Sequence, residues 1–178
     1  SWPADALTGI ASLAIHDRIF TPKYDTLLTK WLAKTKTLMD TSTDLIPHYT
    51  DYISGRPLEG ARGSSQSLMN RLMMWVDADF ASEQYEIYKE KFVTTWLGLP
   101  AVREYPKGVS GFGDIDSGPV IFGVGAAASI VALGTFRVHG DVALTDALER
   151  SIDALGFHFT VEGKKRYIFG ALPMGDAF

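Results

Sequence analysis

The chain has 178 residues, 46% of them hydrophobic and 21% charged, the composition of a folded segment and not of a disordered one. Its net charge of −4 comes from acids and bases interspersed along the chain, with no run of Lys or Arg to track a phosphate backbone, so no nucleic-acid partner is expected. The absence of cysteine excludes disulfides, thiol nucleophiles and cysteine-ligated metals together.

Trp2-Pro3-Ala4-Asp5 puts a proline and an acid into a first helical turn, and Leu7, Ile10, Leu13, Ala14 and Ile15 continue at helical spacing up to Phe20. Thr21-Pro22 reads as an N-cap with proline after it, starting a second helix through Leu27, Leu28, Trp31, Leu32 and Leu38 to about Met39. Asp40 to Gly63 is broken by Pro47, Gly55, Pro57, Gly60 and Gly63 and has room only for a short β-hairpin around LIPHYTDYISG. A second pair of helices is predicted over Ser64–Val76 and Ala81–Leu97, followed by a Gly/Pro-rich connection from Gly98 to Gly118. A third pair is predicted over Pro119–Val138 and Val142–Leu155, separated by His139-Gly140-Asp141. The segments FHFTVE and RYIFG then suggest a terminal β-hairpin.

The unit of helix, helix and long loop recurs about every 55 to 60 residues. Within it the helices predicted at Ser64 and Pro119 are small and nearly uncharged, whereas their successors carry Glu, Lys, Asp and Arg. This predicts an inner and an outer helical layer. Val120 to Phe136 has no charge, but its Gly and Ala content suits a helix buried in protein, and no membrane span is expected in this segment. The long loops are the place to look for function.

Those loops contain TDLIPH (Thr43 to His48), RGSSQS (Arg62 to Ser67), REYPKG (Arg103 to Gly108) and GDIDSGP (Gly113 to Pro119). Together with the layered pattern they resemble the loop-to-inner-helix signatures of six-hairpin glycosidase-like proteins, and RGSSQS resembles a segment of unsaturated glucuronyl and rhamnogalacturonyl hydrolases. A weaker similarity is to linalool dehydratase-isomerase-like toroids. The resemblance implies a mainly α fold: three consecutive helical hairpins forming part of an α/α toroid, with short β-hairpins in loops and at the C-terminus. Residues 1–178 would then be a single toroid-like domain and a fragment of a longer chain. Its partner would be the missing half of the ring or a second copy of the chain.

The acids in these loops are the candidates for chemistry. Asp114 and Asp116 flank Ile115, so in an extended loop both point the same way. Glu59 precedes the segment beginning at Arg62, and glycoside hydrolysis uses two such carboxylates about 5 to 9.5 Å apart. The catalytic candidates are therefore Asp114, Asp116 and Glu59. The plainer reading is that Asp116 caps the helix predicted at Pro119, and that Arg62 locks Glu59 or Asp114 in an internal ion pair. Arg62 and Arg103 are candidate clamps for hydroxyls or for a uronate, with Glu104, Tyr105 and His48 as further substrate contacts and Trp2 and Phe112 as stacking surfaces. The expected ligand is an oligosaccharide or other small molecule. Neither an obligatory metal nor a cofactor is expected: the calcium-loop and zinc-helix patterns are missing, the Gly-rich stretches lack the Lys-Ser/Thr ending of a phosphate loop, and no strand-turn-helix unit surrounds them. The competing function is a noncatalytic module binding a glycan, a lipid-like ligand or a protein.

Overall fold

The computed structural model describes residues 1–114, 117, 118, 120–155 and 158–167. Its six helices are α1 (Pro3–Ile19), α2 (Asp25–Lys36), α3 (Gly63–Met73), α4 (Ala78–Phe92), α5 (Ala126–Val138) and α6 (Val142–Leu155). Four two-stranded antiparallel hairpins accompany them: β1 (Tyr49–Thr50) with β2 (Pro57–Glu59), β3 (Val93–Trp96) with β4 (Leu99–Val102), β5 (Val120–Ile121) with β6 (Val124–Gly125), and β7 (His158–Val161) with β8 (Lys164–Tyr167). The protein is mainly helical, with short hairpins between and after the helices.

Local chemistry sets the helix ends. Pro3 opens α1 with Asp5 in the first turn, as the sequence predicts, and Arg18 lies in the last turn. The Asp77 carboxylate accepts from the Phe80 N–H at 2.9 Å and caps α4, and Asp141 does the same for α6 through the Leu144 N–H. Several boundaries differ from the sequence reading. α2 starts at Asp25 rather than at Thr21-Pro22, because the Asp17 carboxylate on α1 accepts from the N–H groups of Lys23 and Tyr24 and holds that stretch as a connector. α4 stops at Phe92, and the β-branched run Val93-Thr94-Thr95 leaves the helix to form β3 with Trp96. α5 begins at Ala126, after a hairpin that reverses at Phe122-Gly123, where both residues have positive φ. Asp116 and Pro119 lie outside the described residues, and the β8-side prediction RYIFG extends past the last of them. The helix that Asp116 was expected to cap has Gly125 at its N-cap, with no side-chain cap.

Consecutive helices pack as pairs, α1 with α2, α3 with α4 and α5 with α6, while α1, α3 and α5 are joined side by side through α3. Two apolar clusters fill the interior. One joins α4, β4, α5 and α6 through Tyr88, Phe92, Val102, Ala128, Ala132, Phe136 and Leu148. The other joins α1, α3 and α4 through Leu7, Ile10, Met69, Met73, Phe80 and Ala81. Small residues bring α3 against α5. Ser67 donates to the Ala128 carbonyl at 2.9 Å and contacts the Tyr88 hydroxyl at 2.7 Å, and Thr135 donates to the Ser67 carbonyl. These bonds satisfy polar groups buried along the helix contact. Among the described residues no helix is long and apolar enough to cross a membrane.

Candidate functional site

The β1–β2 hairpin, the start of α3 and the loop after β4 meet around one side chain, Arg62. Extended backbone at Arg62 leads into α3, and the two residues that follow receive their acceptors from another part of the chain: Gly63 N–H donates to the Glu104 carbonyl, and Ser64 N–H to Glu104 Oε2. This close approach requires glycine at position 63, where a Cβ would overlap the Arg103 carbonyl, and it favours glycine at 125, where a Cβ would press on the Glu104 carboxylate. Glu104 therefore acts as a cap for α3 supplied from forty residues along the chain.

The Arg62 guanidinium, only 4% exposed, is surrounded by acids. Its Nε donates to Glu104 Oε1 at 2.9 Å; its Nη1 donates to Asp114 Oδ2 at 2.5 Å and to Glu59 Oε1 at 3.4 Å. The Tyr105 ring lies 5.1 Å from the guanidinium carbon, a cation–π contact. Arg62 Nη2 is buried without a hydrogen-bond acceptor among the described residues. Burial works against the Arg62 charge, but the Asp114 bond and the fields of Glu104 and Asp114 outweigh it and raise its pKa.

The three acids differ in setting. Glu104 is 0% exposed, and burial raises its pKa in spite of donors from Ser64 and Arg62. Asp114 and Glu59 are open to solvent, with 42% and 44% of their side chains exposed. Asp114 is also fixed by its own turn, since its backbone N–H donates to Ser117 Oγ and its Oδ1 accepts from the Ser117 N–H, each at 2.9 Å. Because Asp114 and Glu59 accept from the same nitrogen, at 2.5 and 3.4 Å, their two oxygens are at most about 6 Å apart.

His48 is buried at the base of the cluster, with Nδ1 2.5 Å from Ser65 Oγ and Nε2 3.5 Å from Arg62 Nη1. Arginine can only donate, so Nε2 is the acceptor and Nδ1 the donor to Ser65.

The sequence-derived candidates thus divide. Asp114, Glu59, Glu104, Tyr105, His48 and Arg62 converge, with Arg62 as an internal ion-pair hub and not an open anion clamp. Asp116 lies outside the described residues. Arg103 does not join the cluster: Nε donates to the Tyr105 carbonyl and Nη2 to the Val109 carbonyl, bracing the loop, and its guanidinium lies against Gly123. Trp2 packs on Tyr49 with ring centres 4.8 Å apart, whereas Phe112, two residues from Asp114, is fully exposed.

Two features escaped the sequence reading. Asp40, buried, accepts from Ser42 N–H and Oγ, from Thr43 Oγ1 at 2.7 Å and from the Ala61 N–H at 3.0 Å, so it pins the residue that precedes Arg62. Burial alone would raise its pKa, but the donors from Thr43, Ala61 and Ser42 lower it. Its signal was an Asp followed closely by Ser and Thr, a turn-forming pattern. The second is an open groove of about 540 Å³ between α4 and the α5–α6 turn, lined by Tyr85, Glu86, Lys89, His139 and Asp141 among others. There His139 stacks on Tyr85 at 4.0 Å, and burial lowers the His139 pKa. Only the His139-Gly140-Asp141 break hinted at it. Among the described residues no group of three or more His, Asp or Glu side chains is placed to hold a metal ion. No family model matches this chain, and a search of curated proteins returns no match.

Proposed function

We propose that this chain is part of a carbohydrate-active enzyme, a glycoside hydrolase-like protein whose paired helices form part of an α/α toroid. The arrangement of α1, α3 and α5 in one row, each with a partner helix, supports the toroid reading. The observation that carries the functional reading is the sharing of Arg62 Nη1 by two half-exposed carboxylates, Asp114 and Glu59. Glycoside hydrolysis uses two carboxylates, and this pair supports that reading.

The two carboxylates have different parts. Asp114 receives Arg62 and the Ser117 N–H, donors that suit an acceptor, so it is the base or nucleophile. Glu59 has the longer contact to Arg62 and is the second carboxylate of the pair. Glu104 and His48 position Arg62 from behind. A noncatalytic glycan-binding module is the second reading. It is favoured by exposed aromatic rings: Phe112, two residues from Asp114, and Phe122 at the β5–β6 tip next to Trp96.

Screening the purified protein against aryl glycosides and oligosaccharides tests both. Hydrolysis that falls about 100-fold or more in Asp114→Asn and in Glu59→Gln, with melting temperatures nearly unchanged, supports the enzyme. Binding without turnover in the wild type supports the module. Full activity in Asp114→Asn removes the carboxylate pair from the chemistry.

A further inference from the structure

The open groove between α4 and the α5–α6 turn, of about 540 Å³, has the size of a small-molecule cleft and shares no residue with the Arg62 cluster. Its wall is a parallel stack, His139 on Tyr85, with ring centres 4.0 Å apart. His139 Nε2 lies 3.1 Å from the Asn70 carbonyl, which can only accept, so Nε2 carries the ring proton and Nδ1 keeps a lone pair. No described residue donates to Nδ1. Unlike Arg62 Nη2, it is not a buried orphan, and it is reached from solvent on a residue that lines the groove. The Asn70 bond and the Tyr85 stack fix the ring, while burial and the nearby Lys89 charge lower its pKa and favour the neutral form.

The charges in the groove are unequal. Glu86 and Lys89 come from α4 and Asp141 from the α5–α6 turn. Lys89 Nζ donates to Glu86 Oε1 at 2.8 Å and lies 3.6 Å from Asp141 Oδ2 and 4.6 Å from the centre of the Tyr85 ring, so this cation is already held by the protein. Two carboxylates against one ammonium leave negative charge in excess, and 70% of the Glu86 side chain is exposed. The start of α6 would favour an anion, but Asp141 itself occupies it, its Oδ1 accepting from the Leu144 N–H at 3.2 Å. A fixed acceptor in a negative cleft selects a ligand that brings both a hydrogen and a positive charge.

We infer that this groove binds a protonated amine, whose N–H donates to His139 Nδ1 while Glu86 and Asp141 offset its charge. The site is separate from the Arg62 cluster, and it stands or falls independently of the carbohydrate reading.

The test is an NMR titration of the wild-type protein with diaminobutane and, in a second arm, with Nα-acetyl-lysine amide, which carries the same ammonium as a lysine in a peptide. The His139 and Tyr85 ring signals shift saturably, and the His139 pKa falls on binding because only the neutral ring accepts. Affinity drops about threefold or more at high salt, in Glu86→Gln and in Asp141→Asn, which keeps an oxygen for the α6 cap. Lys89→Met removes the groove's own cation and tightens the amines. His139→Phe keeps a ring on Tyr85 but removes the acceptor, and binding is lost. Tighter diaminobutane supports a free amine as the occupant and tighter acetyl-lysine amide a lysine side chain, and both uphold the inference. Amine binding unchanged in His139→Phe overturns it. So does a His139 pKa that rises on binding, or acetate or phosphate binding more tightly than the amines, either of which would mark an anion site. No saturable shift with either amine, at a pH where His139 is neutral, overturns it outright.

Discussion

Glu104 shows how one side chain can serve structure and site together. It lies without exposure between the start of α3 and the Arg62 guanidinium, so truncation removes a helix cap and leaves a buried cation short of its closest fully buried partner. Glu104→Ala should destabilise the fold by about 3 to 5 kcal/mol in a denaturant titration, the cost of an uncompensated buried charge. Glu104→Gln keeps an oxygen for Arg62 and should fold. The raised Glu104 pKa means that its titration favours the native state below the ordinary value of 4.5 and that this contribution fades as pH rises through the folded value. The stability of Glu104→Gln relative to wild type should therefore increase as pH rises above the ordinary value of 4.5. Asp40 has the opposite sign. Its pKa lies below the ordinary 3.8, so its contribution is complete above that pH and is lost as pH falls through the lower folded value. Asp40→Asn should cost about 1 to 3 kcal/mol at neutral pH and little in strong acid. A constant difference across that range would show that the Asp40 charge does not hold the loop.

At the scale of elements, helices marked by apolar periodicity were legible: α1, α3 and α6 match their predicted ranges to within a few residues. What was not legible was where a pattern ends when the next residues are themselves apolar. Val93 to Trp96 continues the hydrophobic rhythm of α4, and only its β-branched composition and pairing with Leu99–Val102 separate it. Val120 to Gly125 likewise reads as the start of α5, because Gly and Ala suit both a close helix contact and a hairpin with positive φ at its tip. The Asp77 cap gives a local check: Asp77→Ala should lower stability by about 0.5 to 2 kcal/mol, and no change would mean that the Phe80 N–H finds another acceptor. The buried side of α5 gives another. Ala128→Asp places a charge at a fully buried position, and should cost at least about 3 kcal/mol in thermal or denaturant unfolding.

For the molecule as a whole, the sequence was informative about which loops meet and less so about what their side chains do on meeting. Motifs at Glu59–Arg62, Arg103–Tyr105 and Asp114, the first some forty residues before the other two, were named together because they lie in the long loops that flank the helices. In the fold, all but Arg103 contribute side chains around the Arg62 guanidinium. Charge balance could not be read in the same way, since whether an arginine faces ligand or three carboxylates depends on distances that spacing does not encode. The central claim is that the exposed acids of this cluster act on a ligand while the buried ones hold the scaffold. It is tested most directly by measuring glycoside turnover and thermal unfolding together for Asp114→Asn. Turnover lost by about 100-fold or more with a melting temperature close to wild type is the predicted result. Full turnover, or unfolding of the domain without loss specific to chemistry, would contradict it and return Asp114 to the scaffold.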